Sequence, residues 1–220
     1  MHRLEVTNPF DCSPVGEVKL SSASEVDTAL AIAEKTHKAN KKGLPKHERI
    51  AVLKKTAEIM KGRVGELALL IASEGGKPLI DAKVEVERAI DGVETCAAEI
   101  ANNAGMEIPM DLTLAGEGKI AFTTKEPIGI VVAVSAFNHP LNLIVHQVAP
   151  AVAAGNPVIV KPADDTPLSC EAFIKILYQA GLSPEWAQFV CCDVSDAEKL
   201  VTDERVAFFS FIGSAAVGWE

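Results

Sequence analysis

Residues 126–169, EPIGIVVAVSAFNHPLNLIVHQVAPAVAAGNPVIVKPADDTPLS, decide the fold. The continuous apolar run Ile130–Val134 predicts a strand covered on both faces, as in a parallel sheet packed between helices. Pro140 suits a first helical turn, and PLNLIVHQVAPAVAA extends it to Gly155 and Asn156, with Pro150 expected to bend it. The unit then repeats. PVIVK is a short buried strand, and Thr166 with Pro167 predicts the N-cap and first position of a helix that Gly181 closes.

Downstream, QFVCC reads as a third strand, AEKLV as a short helix and VAFFSF as a fourth strand running into Gly213 and Ser214. Alternating strands and helices imply an α/β fold with a doubly wound, mostly parallel, Rossmann-like sheet. Upstream the chain reads as helical. The spacing predicts helices over 24–40, 48–73 and 81–103, the first N-capped by Ser24 and the last carrying the stripe Val86, Ile90, Val93, Ala97, Ile100. Between the halves, KIAFTTKEP alternates as a strand.

The 220 residues carry a net charge of −9 and are 48% apolar. They can fill a substantial core, and they lack the basic surface that nucleic acid or an anionic membrane requires. The N-terminus shows no signal-peptide core and no run approaches a bilayer span, so a cytoplasmic protein is expected. Five cysteines without C-x-x-C spacing fit reduced thiols and no zinc site.

Ligands on doubly wound sheets bind at the carboxyl ends of the strands. Asn138, Lys161, Asp164 and Ser214 all follow predicted strand ends. A carboxylate at Asp164 can accept both hydroxyls of a ribose while the Lys161 ammonium donates to the same sugar, which makes this a nucleotide site. Its charge would repel a 2′-phosphate, favouring NAD over NADP. The Gly213–Ser214 turn before a helix offers free N–H groups to a phosphate, although an ordinary strand-to-helix turn has the same pattern. The Asn138 amide suits a carbonyl oxygen that gains negative charge under attack, and it equally suits a turn before Pro140. His139 and His146 read as structural, and no metal site is expected.

At these residues the chain resembles the aldehyde dehydrogenase superfamily. TNPFDCSPVGEV, EPIGIVVAVSAFNHPL, AAGNPVIVKPADDTPLS and SFIGSAAVGW carry the likeness in order along essentially the whole chain. The resemblance implies that Asn138 stabilises the oxyanion of a thiohemiacetal, and that Lys161 and Asp164 contact the adenosine ribose. It further implies that Gly213 and Ser214 face the pyrophosphate, with Val217 and Gly218 on the helix behind, and that Ala136, Phe137 and Ala163 adjoin the cofactor, NAD or NADP.

Residues 1–118 and 133–220 would then form the NAD(P)-binding domain, and 119–132 a bridging hairpin used to form homodimers or homotetramers. The reaction implied is oxidation of an aldehyde to a carboxylic acid through a cysteine thioester. VCCDVSDAEKL departs from the Gly-rich segment usual after the third strand. The family's general-base glutamate and nucleophilic cysteine, which belong to a separate catalytic domain, are not in these residues. Cys170 stands at a helix start without a base, and all five cysteines read as buried structural thiols. Because the pattern stops at Trp219 and Glu220 within a helix, a truncated chain, inactive alone, is expected. A non-catalytic nucleotide-binding module, or a relative that acylates coenzyme A or takes a phosphorylated aldehyde, is the alternative.

Overall fold

The computed structural model describes residues 2–219. It begins with a hairpin that helical periodicity gave no sign of, β1 (Arg3–Thr7) against β2 (Pro14–Lys19), antiparallel. Each strand buries a single large apolar side chain, Val6 or Val18, among charged neighbours, so the alternation is too short to stand out.

Four helices follow: α1 (Ala23–Ala39), α2 (Lys46–Gly62), α3 (Val64–Gly75) and α4 (Leu79–Asn102). Ser22, not Ser24, caps α1, and its N–H donates to Glu25 Oε2 at 3.0 Å. The helix expected over 48–73 is two helices. Gly62 weakens the first at its end, and Arg63 leaves helical geometry to bond the Glu66 carboxylate in the first turn of the second. The expected α4 stripe is buried throughout.

The strand expected in KIAFTTKEP shrinks to β4 (Ala121–Phe122), paired with β3 (Glu107–Ile108). Ile120 and Phe122 stay exposed, so little burial drives a longer strand. Residues 130–132, assigned above to the bridging segment, lie in the first strand of the central sheet.

That sheet comprises β5 (Ile130–Val134), β6 (Val158–Lys161), β7 (Ala187–Phe189) and β8 (Val206–Phe211), joined through α5 (Asn142–Ala154), α6 (Pro167–Gln179) and α7 (Val194–Thr202), with α8 (Ala215–Gly218) after β8. The order is β7-β6-β5-β8, and every pair is parallel. The chain steps outward from β5 to β7, then crosses back to lay β8 on the other side of β5. The two sides of β5 are therefore a topological switch point.

Side-chain alternation fills two cores. Ile130 and Val132 of β5 and Ile159 of β6 join Val26, Leu30 and Leu200 of α1 and α7 on one face. Val131, Ala133, Val158 and Val160 join α5, α6 and the α2–α4 layer on the other. Each such buried Val or Ile contributes roughly 1.5–3 kcal/mol relative to exposure. The sheet is doubly wound, as the unbroken apolar strands imply.

Helix α5 begins at Asn142, so Pro140 belongs to the turn before it, and the helix continues through Pro150. Thr166 occupies the N-cap position of α6 but makes no capping bond with its side chain. The Glu74 carboxylate of α3 caps instead, accepting from the N–H groups of Leu168 at 2.8 Å and Ser169 at 2.9 Å. With Glu74 supplying that acceptor, the Thr166 hydroxyl is left buried and without a partner.

Candidate active site at the strand ends

The carboxyl ends of β5, β6 and β8 are tied edge to edge. The Ile212 N–H donates to Val134 O at 2.9 Å, and the Ser135 N–H to Lys161 O at 3.2 Å. From beneath, Gln147 of α5 donates through Nε2 to Val134 O at 3.1 Å and to Ser210 O at 2.9 Å. One amide thus locks the two strands flanking the switch point. Gln147 carries no such signal in sequence, because a lone glutamine on an otherwise apolar helix face gives no sign of what it bonds.

Ser135, Ala136, Phe137 and Asn138 follow β5 directly. Phe137 and Asn138 are exposed and Ala136 is half-buried. Asn138 lines a cleft of about 330 Å³ with Gly75, Lys77, Asp81, Phe137 and Pro140, between this loop and the α3–α4 junction. A wider cleft of about 450 Å³, beside α6 and β7, contains none of the strand-end residues.

Lys161, the last residue of β6, is buried, and its ammonium donates to Asp164 Oδ1 at 2.7 Å and to Pro162 O at 3.1 Å. The two residues assigned to a ribose are therefore bonded to each other, and the half-exposed Asp164 presents the pair to solvent beside the half-buried Ala163.

After β8, Gly213 and Ser214 lead into α8, and Ser214 Oγ accepts from the Val217 N–H at 3.4 Å. Gly213 is required for space, since a Cβ there would lie 2.4 Å from the Phe211 ring. At Gly218 a Cβ would meet the same ring at 3.0 Å. The two glycines let one aromatic ring pack over the turn. Gly213, Ser214, Val217 and Gly218 are all exposed.

The cysteines separate clearly. Cys170, Cys191 and Cys192 are buried, Cys96 is half-buried, and Cys12, expected to be buried, is exposed in the β1–β2 connection. Burial pushes the Cys170 thiol well above its ordinary value and the Cys191 and Cys192 thiols up to about 11. A nucleophilic thiol needs the opposite shift. Among the described residues no group of three or more His, Cys, Asp or Glu could hold a metal ion, and no helix is long and apolar enough to cross a membrane.

The aldehyde dehydrogenase family model matches residues 1–220. A 3-sulfolactaldehyde dehydrogenase of Priestia aryabhattai is 34% identical over 217 residues, 98% of this chain and 45% of that protein. The crystal structure of aldehyde dehydrogenase 21 from Physcomitrella patens, in complex with the reaction product succinate, superposes with a TM-score of 0.94 at 35% identity, over 99% of this chain and 45% of that one. The glyceraldehyde-3-phosphate dehydrogenase of Methanocaldococcus jannaschii, complexed with NADP, superposes with a TM-score of 0.90 at 32% identity, over 98% of this chain and 47% of that one. The chain spans about half the length of the relatives it matches.

Proposed function

The chain belongs to the aldehyde dehydrogenase family, and from that premise we propose that it supplies the dinucleotide-binding part and the oxyanion donor of an enzyme that oxidises an aldehyde to a carboxylic acid with NAD(P). The observation that carries this reading is the convergence of Asn138, the Lys161–Asp164 pair and the Gly213–Ser214 turn on the carboxyl edge of a parallel sheet at its switch point.

The residues fit a dinucleotide. Ser135 Oγ and Gln147 Oε1 are buried at this edge without partners, Lys161 and Asp164 offer an ammonium and a carboxylate to ribose hydroxyls, and Ser214 and its turn offer hydrogen bonds to phosphate oxygens. Ala136, Phe137, Ala163, Val217 and Gly218 complete the surface beside it. When bound, the nicotinamide would accept the hydride. Because Lys161 already neutralises Asp164, the pair accommodates a ribose with little penalty for a 2′-phosphate, so the reading covers both NAD and NADP.

In the reaction a thiolate adds to the aldehyde carbon and the carbonyl oxygen becomes an oxyanion. Asn138 donates its side-chain N–H to that oxygen. Loss of hydride leaves a thioester, which water cleaves to the acid and the free thiol. Cys170, Cys191 and Cys192 are buried and Cys96 half-buried, burial raising all four thiols, and Cys12 lies in the β1–β2 connection, so none is taken as the nucleophile. We assign that role to a residue outside these 220. The exposed Met106, Leu114, Ile120 and Phe122 around β3 and β4 support a homodimer or homotetramer formed through this segment.

The test is Asn138→Ala in the full-length enzyme. Turnover should fall about 10²-fold or more with cofactor affinity retained. An unchanged turnover would reject the oxyanion role.

A further inference from the structure

Glu85 of α4 has a side chain with no exposed surface, and it lies 53 positions before Asn138 in sequence. Both of its oxygens are engaged with the segment immediately after Asn138. Oε1 accepts from the Leu141 N–H at 2.9 Å and from the Asn142 N–H at 3.1 Å. Oε2 faces the Lys77 ammonium and lies 3.3 Å from His139 Nδ1. Lys77 Nζ is itself 2.9 Å from that same ring nitrogen.

A buried carboxylate is costly unless every lone pair is answered, and here a lysine and two N–H groups at the start of α5 answer it. The Asn138 side chain, by contrast, has no hydrogen-bond partner among the described residues. Along residues 136–140 the one side chain bonded to the rest of the molecule, among the described residues, is that of His139, whose Nδ1 accepts from the same Lys77 ammonium that Glu85 holds. The loop is therefore held on its upstream side by the sheet and on its downstream side by one carboxylate and by the Leu143 N–H, which donates to His139 O at 3.0 Å.

We infer that Glu85 is a positioning residue for the oxyanion donor: through the Lys77 ammonium that bonds His139, and through the Leu141 and Asn142 amides, it fixes where Asn138 presents its N–H groups. Lys77 completes the clamp. The inference rests on the proposed role of Asn138. An oxyanion donor acts only if it is placed before the charge develops, and a misplacement of about 1 Å can cost ~10²-fold in rate.

The experiment is a mutant cycle in the full-length enzyme with Glu85→Gln, Asn138→Ala and the double variant, reading kcat, KM for aldehyde and the Kd of NAD(P). Glutamine keeps the shape but offers the Leu141 and Asn142 N–H groups only a neutral, weaker acceptor and cannot hold Lys77. Glu85→Gln should lower kcat by about 10-fold or more and leave the cofactor Kd within about 2-fold, and the double variant should be no slower than Asn138→Ala alone. In the same variant the Leu141 and Asn142 amides should exchange with solvent faster, while those of β6 do not.

Losses that multiply in the double variant, or a folded Glu85→Gln enzyme with unchanged kcat, would overturn the inference. If Asn138→Ala is itself as fast as wild type, the parent reading fails, and this one with it. Should Glu85→Gln not fold, His139→Leu removes one arm of the clamp from a half-exposed position. It should give a smaller kcat loss that again vanishes on the Asn138→Ala background, and a multiplicative loss would overturn the inference.

Discussion

β6 and β8 both pair in parallel with β5, one on each side, yet their surroundings are opposite. Every residue of β6 is buried, Lys161 included, with helices on both faces. On β8, Ala207, Phe208 and Phe209 are exposed within these residues, and among the described residues no further strand pairs with its outer edge. The contrast extends to the helices that follow. α6 starts on a carboxylate supplied by α3, whereas α8 starts on the side chain of its own N-cap, Ser214. The helical layer therefore covers both faces of β6, while the end of β8 is held by Gln147 of α5 and by packing of Phe211 over Gly213 and Gly218.

The sharpest way to break the comparison is to truncate one aromatic on each side. Phe173 of α6 is fully buried, and Phe173→Ala should cost about 3–5 kcal/mol in unfolding free energy. In the 220-residue chain Phe208 is 53% exposed, and Phe208→Ala in that chain should cost well under ~1 kcal/mol. Chemical denaturation measures both, and equal costs would mean that the two sides are not differently anchored.

A second effect is pH-dependent. Burial raises the Glu74 carboxyl from 4.5 to about 7 despite the two N–H groups that favour its charged form. An acid with a raised native pKa binds its proton more tightly folded than unfolded. Its contribution is complete below pH 4.5 and is lost as pH rises through about 7. The full span corresponds to about 3 kcal/mol. Glu74→Gln should flatten that part of the stability profile, and a profile as steep as wild type would reject the assignment.

On the β8 side, Gly213→Ala should destabilise by ~1–3 kcal/mol, because the Phe211 ring must move. Smaller still, Gly65→Ala in α3 meets no atom within 4 Å and should stabilise by ~0.5–1 kcal/mol. A Gly213→Ala protein as stable as wild type would show that the ring contact carries nothing.

The β5–α5–β6–α6 unit was legible because continuous apolar strands, Gly155 and Pro167 are all local signals. So were Asn138, Lys161, Asp164, Gly213 and Ser214, since position after a strand is itself local. What could not be read acts across the chain. Glu74 reaches the start of α6 from 94 and 95 residues away, and Glu85 reaches the start of α5 from 56 and 57. In sequence each is one acid among many on an amphipathic helix. Thr166 was credited with a capping bond that Glu74 makes, because the local preference for threonine carries no information about a competing acceptor. The space requirement at Gly213 was equally hidden, since it depends on where the Phe211 ring turns.

The central claim is that the strand ends of the covered side hold the cofactor, and Lys161 tests it most directly. The dissociation constant of NAD(P) should be measured by calorimetry for the full-length enzyme and for Lys161→Met, whose Asp164 partner remains half-exposed to water. The account predicts dinucleotide binding weakened by about 10-fold or more, as expected for loss of charge-assisted hydrogen bonds. A folded variant that binds NAD(P) as tightly as wild type would contradict it.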